Sequence, residues 1–332
     1  MTRVAVLGAG SWGTVLAHHL AAQGHDVLLW ARDAELARVL NEEHRNPAYL
    51  PGKELQRGLH ATSDAGQAVA GRPIVVVAVP SQAVRSTLRT IGPGIAREAI
   101  LVGASKGIES DSLLRMSEVA RAVLPDHPFV ALSGPSFASE MIEGQPTAVV
   151  AASGSQEAAE LVQGLLTAGP LRVYTSADIL GTELAGAFKN VIAIAVGMCE
   201  GLGLGNNPRA ALITRGLAEL SRLGMAMGAD PRTFAGLAGM GDLVLTCCGA
   251  LSRNRALGVA LGQGHTLESY LARHRVVVEG VPTAQIALRM AERAGVEMPI
   301  AGKVAECLFS GKSPRMAIAE FMERVPKPEH WA

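Results

Sequence analysis

Net charge is what this chain lacks first: thirty Lys and Arg are balanced by thirty Asp and Glu. Without a global field there is no long-range pull on DNA, RNA or an anionic membrane surface, so no nucleic-acid partner is expected and anionic ligands have to be met locally. Cysteine is scarce as well. Cys199, Cys247, Cys248 and Cys307 form neither a CxxC pair nor a histidine spacing suited to zinc. Free thiols in a reducing compartment, with no metal site, are the simple expectation. Val191 to Cys199 is apolar, but falls far short of the roughly 20 residues that span a bilayer, so stable membrane insertion is not expected. The opening segment MTRVAVLGAGSWGTVLAHHL sets a basic residue before an apolar stretch, as a signal peptide does. Its glycines, the His18-His19 pair and the lack of a clean cleavage site speak against that reading. Internal repeats and low-complexity tracts are missing too. These absences together describe a soluble, cytoplasmic protein.

What is present is enough for two cores. The chain has 332 residues, 48% apolar and 18% charged, more than one hydrophobic core usually accommodates and far from a disordered composition. Up to about residue 175, short β-branched runs alternate with helical segments. Candidate strands are residues 3–8, 25–31, 73–79, 99–105, 129–134, 147–153 and 171–176. Near-continuous apolar runs of this length suit strands covered on both faces of a parallel sheet. The pattern predicts an α/β, doubly wound, Rossmann-type sheet whose later strands can also pair antiparallel. Past residue 178 helical periodicity takes over, with helices predicted near 179–200, 208–227, 253–262, 266–273, 282–294, 299–309 and 314–323. Only VVVE, 276–279, reads as extended. The expected organisation is a dinucleotide-binding domain over 1–178, an all-helical substrate-binding and catalytic domain over 179–325, and a tail over 326–332.

Gly8-Ala9-Gly10-Ser11-Trp12-Gly13 fits G-x-G-x-x-G, and its context gives the match weight: a strand runs into the first glycine and a helix leaves the last. Such a turn uses the first glycine for its tightness, the second for close approach to a pyrophosphate and the third for helix–strand packing. The helix N-terminus then meets the phosphates with free N–H groups. At the end of the second strand no acid stands at the customary position and Arg32 is in reach of a ribose 2′-phosphate, which favours NADP(H) and leaves NAD(H) open. Asp33 reads as a cap of the next helix. Three more loops follow strands at the ligand-binding edge: AVPSQ (78–82), ASKGIE (104–109) and SGPSFASE (133–140). Lys106 in the second reads either as a solvated loop charge or, flanked by glycine after a buried strand, as a good anion anchor. GLGLGNN (201–207) resembles a glycine fingerprint, but it follows a helix rather than a strand and reads as a turn.

Lys189 is the one charge between Leu184 and Cys199, in a stretch that otherwise reads as the buried core of a helix. An ammonium there must be paired, shifted in pKa or in use at a cleft, because unpartnered burial is expensive. A lysine snorkelling to water is the bland alternative; Asn190 beside it and the nucleotide signature upstream favour chemistry. Asp242 and Thr246 stand four apart and share one face if GDLVLT is helical. Ser252, Arg253 and Asn254 stand at a predicted helix start, where a guanidinium and the helix dipole both suit a phosphate dianion. Arg253 and Asn254 are therefore expected to hold a substrate phosphate, with Ser252-Arg253 as an N-cap followed by a solvated charge the competing reading.

GAGSWGTVLA, SKGIE, LSGPSFASE, ELAGAFKNVIAIAVGMCEGLGLGNN, GMGDLVLTC and LSRNRALG, in this order from residue 8 to 258, carry a family resemblance. The chain resembles the bacterial NAD(P)-dependent sn-glycerol-3-phosphate dehydrogenases. The resemblance implies reversible reduction of dihydroxyacetone phosphate to sn-glycerol 3-phosphate for phospholipid synthesis, and a homodimer. It implies that Lys189 transfers the proton, beside Asn190, Asp242 and Thr246. Burial weakens the hold of that amine on its proton and Asp242 strengthens it, two opposite pulls. It further implies that Lys106, Gly134 and Ser136 touch substrate, and that Ser11, Trp12, Ala138, Arg253, Val277 and Glu279 line the cofactor. Two rival readings remain open: a ketopantoate- or 3-hydroxyacid-type dehydrogenase of the same plan, and a nucleotide-binding redox sensor without turnover.

Overall fold

The computed structural model describes residues 1–274, 277–326 and 328–329. The chain divides into two compact units, Met1–Ile179 and Leu180–Ala332.

The first unit is built on ten strands: β1 (Arg3–Leu7), β2 (Asp26–Trp30), β3 (Arg45–Asn46), β4 (Leu50–Glu54), β5 (Leu59–Thr62), β6 (Ile74–Val77), β7 (Ile100–Gly103), β8 (Phe129–Ser133), β9 (Thr147–Ala152) and β10 (Leu171–Ser176). Eight form one sheet in the order β10-β9-β8-β7-β6-β1-β2-β5, while β3 and β4 make a separate antiparallel ribbon. Every pair in the large sheet is parallel except β8 with β9. Alternation along β1 explains why both faces are covered. Val4 and Val6 join a core with Val15, Leu16 and Leu20 of helix Ser11–Ala22, whereas Ala5 and Leu7 join another with Leu88 and Ile91 of helix Val84–Ile91 and with Val119 of helix Met116–Val123. Each buried Val, Leu or Ile among them contributes about 1.5–3 kcal/mol when removed from water.

All seven predicted strands are present within a residue or two of their expected ends, and the antiparallel option is realised once, where β9 reverses after the short helix Ala138–Ile142. The three strands not foreseen are β3, β4 and β5. β5 is only LHAT, burying Leu59 and Ala61 alternately at the sheet edge. The ribbon strand LPGKE carries Pro51 and Gly52, which mark a turn in the sequence.

The second unit is helical. Its axis is the helix Ile179–Gly201, whose residues from Gly181 to Cys199 are all buried. An apolar helix without a polar face belongs in a core. At 23 residues it has the length and mean hydropathy of a membrane span, more than Val191 to Cys199 alone indicates, and that burial is what a core helix shows. The other helices are Asn206–Ala226, Pro231–Ala235, Asp242–Cys248, Arg253–Gly262, Leu267–Arg273, Gly280–Ala294, Pro299–Phe309 and Pro314–Met322. Proline opens three of them at a position where no intrahelical N–H is lost. Residues 231–248, unassigned from sequence, form two short helices joined by a π-helical turn, Leu237–Gly241.

Of VVVE, the described residues form no strand. Val277 and Val278 take no regular structure and Glu279 turns into the helix Gly280–Ala294, while Val276 lies outside the described residues. Of the expected tail, Lys327, His330, Trp331 and Ala332 also lie outside them.

Gly197 and Gly258 set one helix crossing. A Cβ on Gly258 would stand 2.1 Å from the Ile194 carbonyl oxygen, and one on Gly197 2.2 Å from that of Arg255. The backbones of Ile179–Gly201 and Arg253–Gly262 touch because neither glycine has a side chain.

Candidate active site

β1 ends at Leu7, and Gly8 turns the chain with φ +109, a conformation that side chains resist. A Cβ on Gly8 would lie 2.8 Å from the Ala78 carbonyl, and one on Gly13 2.0 Å from the Gly8 carbonyl. The first and third glycines are therefore fixed by close packing. Gly10 is different: a Cβ there would meet nothing within 4 Å. It is also the N-cap of helix Ser11–Ala22 and supplies no side chain to the first-turn N–H groups. An open glycine before an uncapped helix start fits a pyrophosphate, which needs close backbone approach and N–H donors. Gly8 N–H donates to the Trp30 carbonyl at 3.0 Å, tying this turn to the end of β2. Arg32 follows two residues later and is exposed, and Asp33 caps helix Ala34–Glu42 by accepting from Glu35 N–H at 2.9 Å. Ser11 donates to the Tyr49 carbonyl at 3.0 Å, and Trp12 packs against the core beside it.

Lys106 lies in the loop after β7. Its Nζ donates to the Gly134 carbonyl at 2.8 Å and approaches Ser136 Oγ at 3.5 Å, while Ser136 Oγ donates to the same carbonyl at 2.9 Å. Lys106, Gly134 and Ser136 thus come together in the first unit, with Ala138 opening the helix Ala138–Ile142. The Lys106 loop is braced by side chains to which the sequence reading gave no individual role. The Gln82 amide donates to the Ile108 carbonyl at 2.8 Å and accepts from Ser110 N–H at 3.0 Å. Arg85 grips Glu109 through two bonds, 2.8 and 2.7 Å, and that guanidinium holds the Glu109 carboxyl below the usual carboxylate range. Nothing in the spacing of Arg85 and Glu109 announces their pairing, because the two segments are brought together by the β6–β7 register.

In the second unit, Lys189 is buried, as are Asp242 and Thr246. Lys189 Nζ donates to Asp242 Oδ1 and, at 2.9 Å, to Thr246 Oγ1. Residues 242–248 are helical, so Asp242 and Thr246 do share a face, with Asp242 the first residue of that helix. The ammonium is therefore paired within the fold and does not snorkel. Cys247 is fully buried beside this pair, and desolvation pushes its thiol far up, so it offers no thiolate there.

Asn190 Oδ1 accepts from Asn254 Nδ2 at 2.8 Å, and Asn254 Oδ1 accepts from Gly280 N–H at 2.9 Å. Ser252 is the N-cap of helix Arg253–Gly262, its Oγ accepting from Arg255 N–H at 3.2 Å. Arg253, the first residue of that helix, is exposed and has no ion-pair partner among the described residues. Its neighbour Arg255 is engaged instead by Glu200 at 2.9 and 2.5 Å. Val277 is exposed, and the Glu279 carbonyl accepts from the Thr283 hydroxyl at 2.6 Å. The capping reading of Ser252 is thus realised, while Asn254 links the lysine helix to the start of helix Gly280–Ala294.

Both halves of the chain match one family. Residues 3–159 match the model described as NAD-dependent glycerol-3-phosphate dehydrogenase N-terminus, and residues 178–319 match its C-terminus counterpart. The chain belongs to the NAD-dependent glycerol-3-phosphate dehydrogenase family. A Geobacter metallireducens protein named glycerol-3-phosphate dehydrogenase (NAD(P)+) is 54% identical over 330 residues, 98% of each chain. Its Geobacter sulfurreducens counterpart is 53% identical over 332 residues, 99% of each. Among solved structures, a glycerol-3-phosphate dehydrogenase from Coxiella burnetii superimposes with a TM-score of 0.94 at 36% identity, covering 97% of this chain and 99% of that one.

Proposed function

We propose that this chain interconverts dihydroxyacetone phosphate and sn-glycerol 3-phosphate with NADP(H) or NAD(H), supplying glycerophospholipid synthesis. The first unit is the dinucleotide-binding domain and the second supplies the acid–base and phosphate-binding groups. The observation that carries this reading is the buried Lys189–Asp242–Thr246 cluster. A proton donor of this kind suits a carbonyl reduction and has no place in a passive nucleotide sensor. Family membership favours the phosphorylated ketone over the ketopantoate- and 3-hydroxyacid-type alternatives.

When bound, NAD(P)H supplies the hydride for C2 of the ketone. Lys189, as the ammonium, donates to the C2 oxygen and transfers its proton as negative charge grows there. In the reverse direction the neutral amine takes the proton of the C2 hydroxyl. Asp242 compensates the ammonium in its buried position and Thr246 orients it, while Asn190 is placed through Asn254. Arg253 at a helix start is suited to the phosphate dianion, with Asn254 and Ser252 shaping that corner. Lys106, Gly134 and Ser136 make the remaining substrate contacts. Gly8, Gly10, Ser11, Trp12, Gly13, Arg32, Lys106, Ala138, Arg253, Val277 and Glu279 form the cofactor side.

The cytoplasmic placement draws support from four free cysteines, which suit a reducing compartment. A homodimer draws support from the apolar surface of the last helices, where Phe309, Met316 and Met322 are exposed; light scattering of the purified chain tests it.

The decisive assay follows nicotinamide absorbance with dihydroxyacetone phosphate and with unphosphorylated dihydroxyacetone. Turnover of the phosphate ester alone is expected. Equal rates with both ketones would remove the phosphate-binding role and the reading with it.

A further inference from the structure

The β3–β4 ribbon reaches the glycine turn through Asn46. Asn46, on β3, donates through Nδ2 to the Ala9 carbonyl at 2.9 Å and to Thr14 Oγ1 at 2.8 Å. Those two bonds use both amide hydrogens. Asn46 is completely buried, and its Oδ1 has no hydrogen-bond partner among the described residues. A buried amide oxygen without a partner costs free energy that an apolar side chain of similar shape would avoid, so the site carries an asparagine for what its NH2 group holds.

It holds one peptide unit. The Ala9–Gly10 bond is trans, like every peptide bond described here. In a planar trans unit the carbonyl and the following N–H point to opposite sides. With the Ala9 carbonyl drawn toward Asn46, the Gly10 N–H is turned the other way. The second bond, to Thr14, ties the same amide to the first turn of helix Ser11–Ala22.

We propose that Asn46 is a positioning residue for the cofactor: its amide fixes the Ala9–Gly10 peptide so that the Gly10 N–H is presented to the pyrophosphate of the nicotinamide dinucleotide. This rests on the dinucleotide reading of the glycine turn. An NH2 group is required because the Ala9 carbonyl can only accept; a carboxylate of the same shape would face it with acceptors only.

The test uses the full chain and its Asn46→Asp variant, near-isosteric so that packing is kept. NADPH affinity is measured by fluorescence titration, alongside steady-state kinetics and the melting temperature of the cofactor-free protein. Asn46→Asp is expected to weaken NADPH binding about tenfold or more, the scale of a lost buried hydrogen bond. The KM for dihydroxyacetone phosphate and kcat at saturating NADPH should stay near wild type. If the variant does not fold, Asn46→Ser takes its place, since a hydroxyl donates to only one of the two acceptors, and a smaller loss of the same kind is expected. Unchanged NADPH affinity in a folded variant, with only a lowered melting temperature, would make Asn46 structural and overturn the proposal. Failure of the wild-type chain to bind either reduced nicotinamide would instead sink the dinucleotide reading.

Discussion

The Thr246 hydroxyl stands 2.9 Å from Lys189 Nζ and donates its own hydrogen to the Asp242 carbonyl 2.6 Å away. Its oxygen is therefore turned toward the lysine as an acceptor, and the lysine is aimed by two groups of one helical turn. Replacing Lys189 by Met keeps the apolar stem and removes the proton donor. Turnover should fall about 10²–10⁴-fold while NADPH affinity, read by fluorescence titration, stays within error. A Lys189→Met enzyme of near-normal turnover would take this residue out of the mechanism.

Asp242 has the larger structural consequence. Its carboxylate is buried against an equally buried ammonium, so Asp242→Ala leaves a charge without compensation and should cost about 3–5 kcal/mol of stability. The double variant Lys189→Met, Asp242→Leu removes both charges and should melt above Asp242→Ala alone. The reverse order of melting temperatures would show that the pair is not buried in solution.

Arg32 is exposed just past the end of β2, next to the strand that carries the glycine turn. Arg32→Ala should raise the KM for NADPH about tenfold or more, the worth of a charge-assisted hydrogen bond to the 2′-phosphate, and leave the KM for NADH nearly unchanged. Equal losses for both cofactors would mark Arg32 as structural.

Gly258 tests the helix crossing. An alanine Cβ would lie 2.1 Å from a backbone oxygen of Ile194, so the helices must part, at about 1–3 kcal/mol as for other overpacked cores. Asn254 rides on the same helix and is bonded to Asn190. Gly258→Ala should therefore raise the KM for dihydroxyacetone phosphate more than that for NADPH; a melting loss with both KM values unmoved would separate the crossing from the site.

Glu219 gives a pH dependence. It is buried and accepts from Ile300 N–H at 2.7 Å, and burial pushes its carboxyl up from 4.5 to about 7. Because the folded chain holds this proton more tightly than the unfolded one, the stabilisation is complete below about pH 4.5 and is lost as pH rises to about 7. The loss is on the order of 3 kcal/mol at most. Glu219→Gln abolishes it, so the stability difference between wild type and variant should shift against the wild type between about pH 5 and about pH 7.5. Parallel curves for the two proteins over that range would refute the assignment.

The glycine turn, the parallel strands and the lysine helix are legible in the sequence because each rests on local rules. Hydrophobic period and length decide strand or helix, and a lone cation in an apolar run stands out against its neighbours. The weaker signals failed where the rules are not local. LHAT is too short to announce a strand until β2 pairs with it, and LPGKE looks like a turn until β3 lies alongside. Ser252 shows the same boundary: its position in the sequence allows a cap, and only the folded chain sets the Arg255 N–H above its oxygen.

By itself the sequence determined the order of elements, the glycine turn after the first strand, and the fact that Lys189 had to find a partner. Which partner it found was decided only by folding, which brings Asp242 and Thr246 to it from 53 and 57 residues away. The bonds of Asn46 to the glycine turn and of Asn254 to Asn190 were decided in the same way. The physical reason is range: propensity and period act over a few residues, whereas hydrogen bonds between side chains are fixed by register and packing of segments that share no sequence signal.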